Sequence, residues 1–166
     1  MPFSTRIAAT DIPRILRTGL GMGLAGGLAE IVVVSLYSAM TGGDAGRIAR
    51  HVAAAVGLPG ASASVGVGVH MALAVGLGIG LAALVAAVRG AERAVLPMML
   101  LSLAAVWAVN FFIVLPLLSP GFVHLLPYGV TLGSKLAFGL AAAMAWRGIG
   151  VARLLPAGRP ILARIG

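Results

Sequence analysis

From Gly19 to Met40 the chain is an apolar run that holds a single carboxylate, Glu30, and a ladder of glycines at Gly19, Gly23 and Gly27. About 20 apolar residues in an α-helix cross the hydrocarbon of a bilayer, so residues 18–40 read as a transmembrane span. Steps of four set the glycines along one ridge, and Glu30, three residues beyond Gly27, falls on the same face. Helices in lipid are held by packing rather than by hydrophobicity. A glycine ridge is therefore where two backbones approach, and a carboxylate aimed at lipid would be costly. The ridge is expected to be buried, with Glu30 looking into the protein.

The remainder of the 166 residues has the same character, 60% hydrophobic and 10% charged, with a mean hydropathy of +1.08. No soluble domain of this size is so apolar, and the expected class is an all-α polytopic membrane protein whose first partner is the lipid bilayer. Lys+Arg 12 against Asp+Glu 4 would point to nucleic acid in a soluble protein. Here the basic residues fall in short segments between apolar runs, the positive-inside pattern, and no nucleic-acid partner is expected. The absence of cysteine excludes disulfides, thiolate metal sites and iron–sulfur clusters. Every basic residue except Lys135 is arginine, and Ala, Gly and Val dominate. That composition suits GC-rich coding and points to a bacterial inner (cytoplasmic) membrane.

Asp11 followed by Pro13 has the form of a helix N-cap with proline in the first turn, leading directly into the first span. A signal peptide competes, because Arg6, Arg14 and Arg17 precede the run, but the run is long for an h-region and contains Glu30. After a turn at Thr41–Asp44, Asp44 can cap a short helix over residues 45–56, ended by Gly57. Ile48, Val52 and Ala55 share one face of it and Arg47, Arg50 and His51 the other, the pattern of a helix lying in the interface plane. A second span, residues 64–88, carries Gly66, His70, Ala74, Gly78, Ala82 and Ala86 at spacing four. The third, 94–118, has Pro97 in its first turn and Pro116 near its end. A loop over 119–127, with Pro120, Gly121 and Pro127, has room to dip into the membrane. The fourth span, 128–146, is bracketed by Tyr128 and Trp146 and sets Thr131, Lys135, Gly139 and Ala143 at spacing four. A basic tail, 147–166, is expected on the cytoplasmic leaflet.

The chain thus reads as a single membrane domain, a four-helix bundle with an interfacial helix. Gly19, Gly23, Gly27, Gly66, Gly78 and Gly139 are its helix-packing positions. With both termini inside, Arg6, Arg14, Arg17, Arg89, Arg93, Arg147, Arg153, Arg159 and Arg164 are cytoplasmic, and only Arg47 and Arg50 lie outside.

Depth now follows from a rise of about 1.5 Å per residue. Measured from the outer end of each span, Glu30 lies about 15 Å down, His70 about 9 Å, Asn110 about 12 Å and Lys135 about 10 Å. Four helices each bring one strongly polar side chain to one outer layer, with Tyr37 and Ser134 near enough to add hydroxyls. Glu30 can pair with Lys135 and take His70 or Asn110 as donors. Three readings are open. The groups satisfy each other and specify packing, or they carry a proton or ion, or a metal, haem or quinone is held by His70, His124 or His51. No two of these histidines have helical ligand spacing, so no metal and no cofactor is expected. Lys135 also has a stem long enough to snorkel outward.

Gly21–Gly26 matches the dinucleotide fingerprint, yet no strand precedes it and it lies at a membrane entrance. Neither Ser102 nor Ser134 has a base at nucleophile spacing, and the expectation is not an enzyme. The Gly-rich first span, the amphipathic segment after it and the His near the start of a second Gly-bearing span resemble small four-helix bacterial membrane proteins of uncharacterised function, over residues 19–88. Four helices with an embedded Glu in the first also resemble the small multidrug-resistance transporters, a likeness that implies proton coupling. This chain differs from them in length, in its interfacial helix and in lacking their aromatic pattern around the Glu. The function expected is a scaffold, oligomer or accessory subunit of a membrane complex, with a small proton- or ion-coupled carrier as the alternative.

Overall fold

The computed structural model describes residues 11–88 and 93–154, and among these every regular element is helical. In order they are α1 (Ile12–Thr41), α2 (Ala45–Ala55), α3 (Ala63–Ala87), α4 (Val95–Val109), a π-helical segment (Asn110–Val114), α5 (Leu115–Leu118), α6 (Pro120–Val123) and α7 (Tyr128–Leu154). Four stretches are long and apolar enough to cross a membrane: Ile12–Thr41, Ala63–Ala87, Val95–Leu118 and Tyr128–Ile149.

The ends of the helices follow local chemistry. Pro13 sits in the first turn of α1, where its missing N–H costs nothing, but Asp11 has helical backbone angles and its side chain makes no capping bond. Asp11 thus holds the expected N-cap position, but without a side-chain capping bond. At the other end Gly42, with φ 70°, takes the left-handed turn, and the N–H groups of Gly42 and Gly43 both donate to Ser38 O. Ser62 caps α3 by accepting from the Val65 N–H.

The third long stretch is not the continuous α-helix its pattern predicts. Pro116 has no N–H for the Phe112 carbonyl and its ring would crowd that oxygen. The chain widens ahead of it into the π-helical segment, in which the Leu115 N–H donates to Asn110 O, and Pro116 falls in the first turn of α5. α7 likewise overruns the expected boundary at 146, so the first part of the expected tail continues a helix. The remaining tail, with Arg159 and Arg164, and also Arg6 and Arg89, lie outside the described residues.

The long helices form a row, α3–α1–α7–α4, with α2 laid on α3 and touching α6. Two glycine ridges make the centre of the row possible. Gly19, Gly23 and Gly27 face α3: a methyl on Gly23 would meet Val75 Cα at 2.5 Å and the Ala74 carbonyl oxygen at 2.6 Å. Gly78 returns the fit by lying on the Gly19 and Gly23 backbone. On the adjacent ridge Gly26 accepts the flat of the Phe138 ring from α7, where an added methyl would come within 2.6 Å. Gly139 faces Leu100 and Leu103 of α4. Gly66 serves a different contact from the one its spacing suggests, since it receives the Ala49 backbone of α2 rather than another long helix.

Near the α3–α4 connection the row closes over a core of Met22, Leu81, Val85, Met99, Leu103 and Phe138. Met22, Met99, Leu103 and Phe138 are fully buried. Outward, the pattern is reversed from that of a water-soluble protein: Leu20, Leu24, Leu28, Val32 and Leu36 run at spacing four along the exposed face of α1. On α1 the glycine ridges face the neighbouring helices and the large apolar side chains of this stripe face outward.

Candidate functional site

Away from that core, toward α2 and α6, the row opens into a cavity of about 640 Å³. α3 packs on α1 and α2, and α4 packs on α7, so the flanking helices stand apart and leave the space between them. Ile48, Ala49 and Val52 of α2 cover one side; Val106, Phe111, Val114 and Leu118 wall the other. α2 is therefore more than a connector. The apolar face of this helix, expected from its pattern to lie in the interface plane, is a wall of the cavity.

Glu30, His70, Asn110 and Lys135 all line this space. Glu30 is 5% exposed. It follows Gly26 by one step of four, so it lies on the ridge that faces α7 and not on the Gly19–Gly27 ridge proper. That places it against Lys135, whose Nζ donates to Oε2 at 3.1 Å and forms an ion pair with Oε1 at 2.8 Å. The ammonium also lies 5.9 Å from the Phe138 ring centroid. Lys135 thus turns inward to the carboxylate instead of snorkelling out.

His70 reaches across from α3. Its Nε2 is 3.2 Å from Gly27 O and 3.9 Å from Glu30 Oε2. A carbonyl only accepts, so Nε2 carries the hydrogen and donates to Gly27, and in the neutral ring Nδ1 is left as an acceptor. The Glu30 oxygen stands beyond hydrogen-bond distance, so His70 adds polarity beside the ion pair without joining it.

Asn110 lines the same cavity, but among the described residues its side chain makes no hydrogen bond, and the expected donation to Glu30 is absent. It stands at the start of the π-helical segment. Ser134 lines the cavity while its hydroxyl donates to Thr131 O. Tyr37 does not line it; Ser35, two residues earlier, does. His124 is exposed, and His51 donates through Nδ1 to Arg47 O. Among the described residues no cluster of three metal-ligating side chains is formed.

A third polar bond between helices gave no signal in the spacing. Trp107 Nε1 of α4 donates to Thr131 Oγ1 of α7 at 3.0 Å, and Thr131 in turn donates to Tyr128 O. Around it Trp107 stacks on Phe111 at 5.7 Å and meets Phe112 and Tyr128 edge-on. The aromatic cluster ties α4 to α7 next to the cavity. Its residues were legible singly, as a tryptophan inside one span and a tyrosine at the start of the next, but their register depends on the π turn.

Outside the long helices, Asp44 opens α2 and pairs with Arg50 at 2.9 Å. The Asp44 carboxylate lies over the first turn of α2 without reaching capping geometry. The nearby Arg47 N–H, with the Arg50 guanidinium in support, holds the carboxyl below its ordinary value, against a smaller opposing effect of desolvation. Comparison of the chain with family models, curated proteins and solved structures finds no match.

Proposed function

We propose that the chain is an integral membrane protein of the bacterial inner membrane, crossing it four times with both ends inside, and that it is a small proton-coupled carrier working through the Glu30–Lys135 pair. The observation that carries this reading is where the pair lies. A buried pair that only specifies packing belongs between sealed helices, whereas this one sits on the wall of a cavity of about 640 Å³. Intramembrane ionisable groups that face a cavity commonly mark ion paths. A proton taken up by Glu30 from the cavity frees Lys135, and the change of charge on the wall couples proton movement to what the cavity holds. The outward leucine stripe of α1 and the asymmetry of the arginines support the membrane placement.

The second reading, a scaffold or oligomeric subunit, has one observation in its favour. Gly68, Ala72, Gly76 and Gly80 form an exposed ridge at spacing four on α3, and a methyl added at any of its glycines would meet nothing within 4 Å. One experiment separates the two. The protein is purified in gentle detergent, its associated chains are identified, and it is reconstituted into vesicles with a pH-reporting dye inside. The carrier reading expects proton flux in the original protein and none in a folded Glu30→Leu, Lys135→Met double variant. No flux from either, together with a stoichiometric partner or a stable oligomer, would replace it with the scaffold.

A further inference from the structure

We infer that the cavity binds an uncharged amphiphile, a molecule with a carbonyl or hydroxyl head and an apolar body, and that Asn110 recognises the head. The inference rests on the membrane placement proposed above but not on proton coupling.

Charge balance rules first. Glu30 and Lys135 compensate each other at 2.8 Å, and a ligand with a net charge would leave one unit uncompensated in a site of low dielectric. The wall therefore selects against both organic cations and organic anions. Hydrogen-bonding capacity rules next. Glu30 and Lys135 are directed at each other, His70 Nε2 at Gly27 and the Ser134 hydroxyl proton at Thr131. What remains at the cavity without a partner among the described residues is the Asn110 amide, two N–H donors and one carbonyl acceptor, the Ser35 hydroxyl on α1, and the second ring nitrogen of His70. Donor and acceptor together suit a head with one or two neutral oxygens.

Asn110 also stands at the one described π-helical turn, and such turns recur at functional sites. Below it, Val106, Phe111, Val114 and Leu118 offer the apolar wall for the body of the molecule. The volume falls inside the range of about 300–1,000 Å³ typical of sites for drug-sized ligands. The close pairings are α3 with α1 and α2, and α4 with α7, so the expected route for such a molecule is sideways from the lipid between α3 and α4.

The test uses the full chain in phosphatidylcholine vesicles and three photoreactive diazirine probes with the same alkyl chain, ending in an alcohol, a trimethylammonium or a carboxylate. Saturable labelling by the alcohol probe at residues 106–118 is expected, competed by the unlabelled alcohol, with little from either charged probe. Asn110→Leu should weaken it about threefold to tenfold, the worth of one net hydrogen bond. That side chain holds no other part of the protein, so the variant should fold. Val106→Trp, which fills the cavity from the same wall, should abolish saturable labelling. Equal labelling by the charged probes, unchanged affinity in Asn110→Leu, or non-saturable labelling spread over the outer face of α1 would each overturn the inference. Proton flux is read separately, so saturable alcohol labelling without flux would discard the carrier and keep the binding site.

Discussion

Glu30 grips Lys135 with both carboxylate oxygens, so neither charge can be removed alone without stranding the other beside the cavity. Breaking one half of a buried pair costs about 3 to 5 kcal/mol, while replacing both halves by apolar groups of similar size is often close to neutral. Reversible unfolding in mixed micelles should therefore show Glu30→Leu and Lys135→Met each strongly destabilised and the double variant near the original protein. Equal losses in all three would mean that the pair is not coupled. Much of this was readable from residue depth, because counting at a fixed rise per residue puts Glu30 and Lys135 in one layer whatever the helices do sideways. Rotation about the axis is finer. Glu30 sits on the Gly26 ridge rather than the Gly19–Gly27 ridge, and no count along the chain tells which of two adjacent ridges faces which helix. The residues after Asn110 show the same limit, since the π-helical segment that begins there rotates everything beyond it.

At the scale of the helices, the two faces of α1 predict a graded response to added bulk. Leucine at Gly23 would have to displace α3 backbone and leucine at Gly26 the Phe138 ring, whereas Gly133 of α7 has nothing within 4 Å of an added methyl. Gly23→Leu and Gly26→Leu should lower the melting temperature in detergent well below that of Gly133→Leu; similar values would show that neither contact forms. Gly42 is no neutral comparator, because its φ of 70° strains any side chain. α2 responds to pH instead. Its Asp44 carboxyl is held low, so the folded state gains from the charged form above the ordinary carboxylate range, and that gain is lost as the pH falls through the lowered value. A spin label at position 47 should hold its mobility down to the ordinary carboxylate value and become more mobile as the pH falls below it, and in Asp44→Asn its mobility should not depend on pH. An unchanged label in the original protein would show that the pairing does not restrain α2. The amphipathic pattern of α2 was plain in the sequence; that its apolar face covers a cavity was not, because the pattern is the same for any apolar neighbour.

The whole molecule is uneven, packed tight near the α3–α4 connection and hollow toward α2 and α6. In the proposed topology, with both ends inside, the hollow half lies outside. The chain has no cysteine, so single cysteines placed at Ala61 and Gly121 should react with an impermeant thiol reagent added outside, and those at Ala94 and Gly148 should not. The opposite pattern would invert the protein. Four long apolar helices were evident from composition and run length alone, because that signal survives any arrangement. Their order in the row was hidden, since small-residue ridges on every helix are compatible with several neighbours, and a cavity is made by the contact that two helices do not make.

Lys135 is the only lysine in the sequence, and it is held against Glu30 on the cavity wall. The molecule thus carries one side-chain amine, at the place of greatest interest, and an ammonium locked to a carboxylate is a poor nucleophile. Acylation by a membrane-permeant amine reagent becomes a clock on that lock, its rate set by the fraction of time the amine is both free and deprotonated.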